Sequence, residues 1–249
     1  MKIRVKFGKH GYMKFVGHLD IMRFFQKANR MAGIDICYSE GFSPHQKMSF
    51  AAPLGVGLQS TGEYVDMEVN SSMTSREAVE KYNSIMVEGI NVYSYRRLPD
   101  NADNAMSIVA AADYLITFKT DRLFDKIDIL KEKIFEFYNH ESIEILKKTK
   151  KSEKLADIKP LIYFIDVTSD ISDIISDDDT ATFGIKLQLA TGSVNNLKPE
   201  LVIEAFCNFL NVNFSENPIN IYRLEVYADV GDESERKLIT LEDLGEEIV

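Results

Sequence analysis

Three of the four histidines in this 249-residue chain, His10, His18 and His45, lie within the first fifty residues. Histidine is the side chain whose charge changes nearest neutral pH. His18 or His45 can therefore serve as a general acid–base group wherever a substrate oxygen comes within hydrogen-bond reach, with Asp20 placed to hold an imidazole. A second chemistry uses the cations among them. Asp20, Arg23, Lys27 and Arg30 follow one another at spacings of three, four and three, so on a helix they form one polar stripe. That stripe suits either phosphate binding or plain solvation. The segment Gly41-Phe42-Ser43-Pro44-His45-Gln46-Lys47 has the Gly, Ser and Pro of a shaped turn. Its Ser43, His45, Gln46 and Lys47 offer a hydroxyl, an imidazole, an amide and a cation, which can hold a phosphate or a polar base edge. Phe42 can stack on a base or plug the core, and the core is the expectation.

Charge sharpens this picture. The whole chain carries a formal charge of -10, whereas residues 1–50 hold nine Lys and Arg against Asp20, Asp35 and Glu40, a balance of +6 that leaves -16 for the remainder. This excludes a protein that coats nucleic acid with its whole surface, and it predicts a basic face on an acidic body that can focus an anionic ligand. A second lysine group, Lys147, Lys148, Lys150, Lys151, Lys154 and Lys159, can add sequence-independent phosphate contacts from a connecting loop. Asp170, Asp173, Asp177, Asp178 and Asp179 lack the central Gly and closing Glu of a calcium-binding helix–loop–helix, so a solvated loop is expected there. The two cysteines, Cys37 and Cys207, sit in apolar stretches and read as reduced core thiols. Two are too few for a cysteine-ligated iron–sulfur cluster or a four-cysteine zinc, so no metal is expected. No apolar run approaches membrane-spanning length and the N-terminus is unlike a signal peptide, which points to the cytoplasm.

The elements that must position these residues follow from periodicity. Lys2 to Phe7 alternates as a strand, and Ile21, Phe24, Phe25, Ala28 and Met31 mark an amphipathic helix from His18 to Ala32 that Gly33 stops. Strands are expected over 34–39, 47–52, 62–69 and 89–98, and a helix over 75–87 capped by Thr74 or Ser75. A polar linker over 100–107 then separates this domain, 1–99, from a second over 108–228. There the expected order is strand 108–118, helix 121–138, strands 143–147, 159–167 and 182–190, helix 200–210 and strand 219–227. Both series give α+β architecture with two tandem ferredoxin-like (βαββαβ) halves. An acidic tail over 229–249 is expected to fray, with a short docking segment as the alternative.

A resemblance adds to this. His18-Leu19-Asp20, the basic helix to Ala32-Gly33, Tyr38 to His45, Lys47, Ser49-Phe50, Pro53-Leu54 and Gly62-Glu63-Tyr64-Val65-Asp66 are similar to the bacterial radical SAM-linked family of unknown function. The similarity is dense over residues 2–70 and weaker beyond, at Lys150 to Pro160 and Lys198-Pro199-Glu200. It departs mildly at Ser43, where the family usually has Asn, and at Gln46, where it often has Pro. Members occur beside or fused behind a radical SAM enzyme with a cobalamin-type domain, near genes for ribosomal proteins and an E/G-type RNase. The resemblance implies an accessory role in modification or maturation of rRNA or tRNA. The iron–sulfur cluster and SAM would belong to a radical SAM partner, because this chain lacks the three-cysteine motif. A docking subunit without nucleic acid is one alternative, and an RNA-processing enzyme using His18 or His45 acid–base chemistry is another. At the level of fold the arrangement is also analogous to CRISPR repeat-processing endonucleases and tandem-half tRNA pseudouridine synthases. The catalytic Gly-Arg-Thr-Asp loop of the synthases is absent here, as is a clear C-terminal glycine-rich loop of the endonucleases.

Overall fold

The computed structural model describes residues 1–119, 126–148, 153–175, 179–232 and 234–249. In chain order the elements are β1 (Lys2–Lys9), α1 (His18–Met31), β2 (Met48–Phe50), β3 (Gln59–Glu68), α2 (Ser75–Ile85), β4 (Ile90–Leu98) and the single turn α3 (Ala105–Ile108). They continue with β5 (Val109–Phe118), α4 (Ile127–Tyr138), β6 (Glu144–Lys148), β7 (Glu153–Asp157), β8 (Ile162–Thr168), β9 (Gly184–Ala190), α5 (Pro199–Phe209) and β10 (Ile219–Asp229). The short strands β11 (Leu238–Thr240) and β12 (Glu246–Glu247) end the chain. The result is a mixed α+β protein with a sheet-rich scaffold and few helices.

The chain divides into two compact units, Met1–Ala110 with Arg223–Val249, and Ala111–Tyr222. In the first, the strand order is β12-β4-β1-β3-β10, with β2 on β3 and β11 on β10. The β1–β3, β1–β4 and β2–β3 pairs are antiparallel. In the second, the order is β10-β5-β9-β8, and β6 and β7 form a separate hairpin.

Why α1 forms and where it packs follow from one pattern. Ile21, Phe25 and Ala28 recur at helical spacing and are buried. They meet Ile3, Val5 and Phe7, the apolar alternate residues of β1, in one core with Phe50, Val65, Tyr82 and Tyr95. Burying Ile21 and Phe25 contributes about 1.5–3 kcal/mol each. The cap expected on α2 is present, with Thr74 Oγ1 accepting from the Glu77 amide at 3.2 Å.

The structure departs from the expected elements in four places. Residues 153–157, expected within a lysine-bearing connecting loop, form β7 and pair antiparallel with β6. Residues 34–39 form no ladder, because the pairing partner changes from Val69 at Ile36 to Gln46 at Tyr38 within two residues. The tail does not fray: β11 pairs with Tyr227 to Asp229, and β12 lies along Arg96 and Arg97 of β4. The linker is tied down as well, since the Ala105 amide donates to Asp66 at 2.8 Å and Lys2 Nζ to the Ala102 carbonyl at 2.6 Å. The start expected for the second-half helix, 121–125, lies outside the described residues.

Candidate nucleic-acid interface

The outer face of α1 carries Leu19, Arg23, Lys27 and Arg30, all exposed, opposite the buried Ile21, Phe25 and Ala28. Arg23 meets Asp20 at 3.1 Å with both side chains mostly in solvent, a pair worth at most a few tenths of a kcal/mol. Asp20 thus serves a cation and not an imidazole.

Three exposed aromatic rings lie on turns near the two ends of α1. Immediately before α1, a short 3-10 turn over Gly11–Phe15 leaves Tyr12 91% and Phe15 62% exposed. The Lys14 ammonium lies 5.5 Å from the Phe15 ring centre. Beside the far half of α1, the turn from Ser39 to His45 holds Phe42 fully in solvent. That overturns the expectation of a core role; the preceding Gly41 has φ +106°, a left-handed backbone that favours glycine. Ser39 closes the turn. Its amide donates to the His45 carbonyl at 2.8 Å, its hydroxyl accepts from the His45 amide at 3.1 Å, and the hydroxyl also meets His45 Nδ1 at 2.8 Å.

Gln46 anchors the turn to the helix. It is buried, accepts from Asn29 Nδ2 at 2.9 Å and donates to the Gln26 carbonyl at 2.9 Å. Asn29 in turn accepts from the Tyr82 hydroxyl at 2.6 Å. Gln46 is therefore spent on the scaffold, while Ser43 and His45 remain on the exposed turn. Lys47 pairs with Glu68 at 2.9 Å, and that carboxylate raises the ammonium pKa.

The two candidate acid–base histidines are not brought together. His18 opens α1 and packs edge-on against Phe50 at 5.0 Å. His45 adjoins the turn held at Gln26 and Asn29. Eight to eleven residues of helix, about 12–16 Å, separate the two levels. His18 instead borders a small pocket with Lys9, Glu63 and Leu54. Behind it the Arg223 guanidinium and Glu63 form a buried ion pair, and Arg223 also donates to the Ala52 carbonyl at 2.6 Å. Lys9 is buried and donates to the Val16 carbonyl at 3.0 Å; burial lowers its pKa, and Arg223 adds to this against the pull of Glu63.

Much of the +6 counted in the first fifty residues is consumed internally. Arg4 is buried and grips Asp66 through Nε at 2.7 Å and Nη2 at 2.9 Å. Its Nη1 donates to the Leu241 carbonyl at 3.0 Å. Lys6 bridges Glu225 and Glu242 at 2.6 Å each; burial opposes its charge, but the two carboxylates prevail and raise its pKa. The charged side of β1 thus faces the C-terminal segment and not a ligand. The stripe on α1 stays in solvent, as does Lys47 in its pair with Glu68.

An open groove of about 340 Å³ lies elsewhere in the first unit, between Lys2, Lys47, Ser49, Asp66 and Asn104. Its polar walls satisfy one another: Lys2 with Ala102, Lys47 with Glu68, Ser49 with Asn104, and Asp66 with Arg4.

In the second unit, Lys147 and Lys148 stand on β6, in register with Lys154 and Glu153 of β7; Lys150 and Lys151 lie outside the described residues. Asp177 and Asp178 of the acidic loop do too. Asp179 is buried, and its carboxylate accepts from Thr117 at 2.5 Å, Tyr222 at 2.8 Å and Asn220 at 2.9 Å, so it acts as a structural anchor. Among the described residues, no group of three or more His, Cys, Asp or Glu side chains could hold a metal ion. No helix among them is long and apolar enough to cross a membrane. Cys207 is buried, its thiol pushed up to about 11 by burial. Cys37 is only half-buried and donates to Asn70 at 3.1 Å, so it is not the core thiol expected.

Two sets of residues carry no signal in spacing. Tyr12 and Phe15 look like ordinary core formers in sequence; the preceding Gly11 is their one local cue. His10 bonds the Tyr93 hydroxyl through Nε2 at 2.9 Å, and burial lowers its pKa.

Fold and site together define an α+β protein whose first unit displays a basic helical stripe between solvent-facing rings. The chain belongs to the family described as an uncharacterized protein conserved in bacteria (DUF2344), which matches residues 2–199. Comparison with the curated proteins finds none that matches it.

Proposed function

We propose that this chain is an accessory RNA-binding protein that presents rRNA or tRNA to a radical SAM partner enzyme in the cytoplasm for modification or maturation. The observation that carries the RNA-binding reading is the exposed line of Arg23, Lys27 and Arg30 on a protein of net charge -10, flanked by solvent-facing Tyr12, Phe15 and Phe42. Cations supply affinity for phosphates, and rings supply platforms for bases. The partner, together with its iron–sulfur cluster and SAM, is inferred from the sequence resemblance to the radical SAM-linked family. Two ferredoxin-like halves are part of the same proposal. The orders β4-β1-β3-β2 and β10-β5-β9-β8 support it, being the fourth, first, third and second strands of each series.

The salt dependence of RNA binding tests the proposal. Neutralising Arg23, Lys27 and Arg30 to Gln removes three phosphate contacts and should reduce the slope of log affinity against log salt by about 2 for a single strand. An unchanged slope refutes the placement of RNA on α1. A second reading, a docking subunit for the radical SAM enzyme without nucleic acid, is favoured by the exposed apolar side chains of Leu19 and Val56. Copurification from the native cell that recovers the enzyme free of RNA would select it. A third reading, an RNA-processing enzyme with His18 or His45 as its acid–base group, is the least supported, because Asp20 pairs with Arg23 and not with an imidazole.

A further inference from the structure

We infer that the RNA taken by this face is single-stranded, with one base laid on Phe42 at one end of α1 and another on Tyr12 or Phe15 at the other. This rests on the RNA-binding reading and narrows it to a class of substrate.

The inference starts from how the rings are held. Tyr12 follows Gly11 at φ +53°, and Phe42 follows Gly41 at φ +106°. At these angles an L side chain is strained, which selects glycine. Crowding does not require glycine at either place, because a Cβ there would meet nothing within 4 Å. What glycine contributes at both positions is the backbone direction that carries the next ring into solvent. Both turns are also pinned. The Gly11 amide donates to the buried Gln59 at 2.9 Å. The Phe42 turn is closed by Ser39 and His45 and anchored by Gln46. Rings held outward on fixed turns are pre-organised platforms.

A duplex cannot use such platforms. Its bases are stacked on one another, and an A-form helix offers only a shallow minor groove and phosphates. A single strand presents free base faces, and every base has one, so stacking tolerates any sequence. The fourteen residues of α1 span about 21 Å. At roughly 3.4 Å per stacked nucleotide this accommodates about six, and fewer if the strand is extended. Between the rings, Arg23, Lys27 and Arg30 lie along the path of the backbone phosphates.

The chain contains no tryptophan, so Phe42→Trp introduces a sole indole at the proposed stacking point. The experiment titrates this variant at low salt with dodecauridine and with a blunt RNA duplex of equal length. Affinities of the parent and of Phe42→Ala, Tyr12→Ala and Phe15→Ala are measured by anisotropy of the labelled probes. The expected result is quenching of the indole by the single strand only, and a loss of single-strand affinity of about 5- to 100-fold in Phe42→Ala and in at least one of the other two. Thermal unfolding of Phe42→Ala should match the parent, because the ring touches solvent alone. If the single strand binds without quenching and all three alanine variants bind like the parent, the stacking inference falls while the RNA reading stands. If the duplex binds as tightly as the single strand, the inference falls likewise. If neither probe binds, both readings fall.

Discussion

Replacing Gln46 by Ala tests how the exposed turn is coupled to the core. The Gln46 amide is one link in a buried chain running from the Tyr82 hydroxyl through Asn29 to the Gln26 carbonyl. The substitution leaves Asn29 Nδ2, in a residue with no solvent exposure, without its acceptor, while the Gln26 carbonyl loses its side-chain donor but keeps the helical amide four residues on. An unsatisfied buried polar group costs about 1–3 kcal/mol, so orphaning Asn29 Nδ2 costs about that much. Equilibrium urea unfolding should show this as a lower midpoint with an unchanged slope. Releasing the turn also removes the pre-organisation of Phe42, so single-strand affinity should fall in the same variant. Gln46→Glu adds a pH signature. One carboxyl oxygen can still accept from Asn29, but the other faces the Gln26 carbonyl and is favourable only when protonated. Its folded pKa should therefore lie above its unfolded value, so its stabilising contribution is full in acid and is lost as pH rises through the folded pKa. A Gln46→Ala protein that unfolds at the parental urea midpoint would refute the coupling.

Two further outcomes follow from the buried polar groups. Asp66→Ala leaves the Arg4 guanidinium buried with only the Leu241 carbonyl, and orphans the Ala105 amide; it should cost about 3–5 kcal/mol in denaturant unfolding, more than the double change Arg4→Met with Asp66→Leu. Gly8→Ala would place a Cβ 2.4 Å from both His10 Nε2 and the Tyr93 hydroxyl, so it should break that hydrogen bond with a stability change of about 1 kcal/mol. Because burial depresses the His10 pKa below its ordinary 6.5, the unfolded chain takes up the proton first, and stability attributable to His10 declines as pH falls below that ordinary value. Because the added Cβ pushes the ring toward solvent, proton NMR titration should find the His10 imidazole low in the parent and closer to ordinary in Gly8→Ala; identical values would show that burial of the ring is not what lowers it.

The amphipathic pattern of α1 was legible in sequence because a helix is a local structure: the 3.6-residue period alone puts Ile21, Phe25 and Ala28 on one side and Arg23, Lys27 and Arg30 on the other. The Thr74 cap was legible for the same reason, as was the alternation of β1. Which of those charges would meet solvent was not. Arg4 finds Asp66 and Leu241, 62 and 237 positions away, and Lys6 finds Glu225 and Glu242. Such partners are chosen by the pairing of β1 with its neighbours and by the return of the C-terminal segment, which no local spacing encodes. Likewise Gln46 and His45 are adjacent in the chain, yet one is buried against α1 and the other exposed, because a turn commits successive side chains to different surroundings. Composition thus determined a basic first fifty residues. Only the tertiary structure decided that Arg4 and Lys6 are consumed by internal ion pairs while Arg23, Lys27 and Arg30 stay exposed on α1, because ion pairs form between groups that the fold brings together, whatever their distance in sequence.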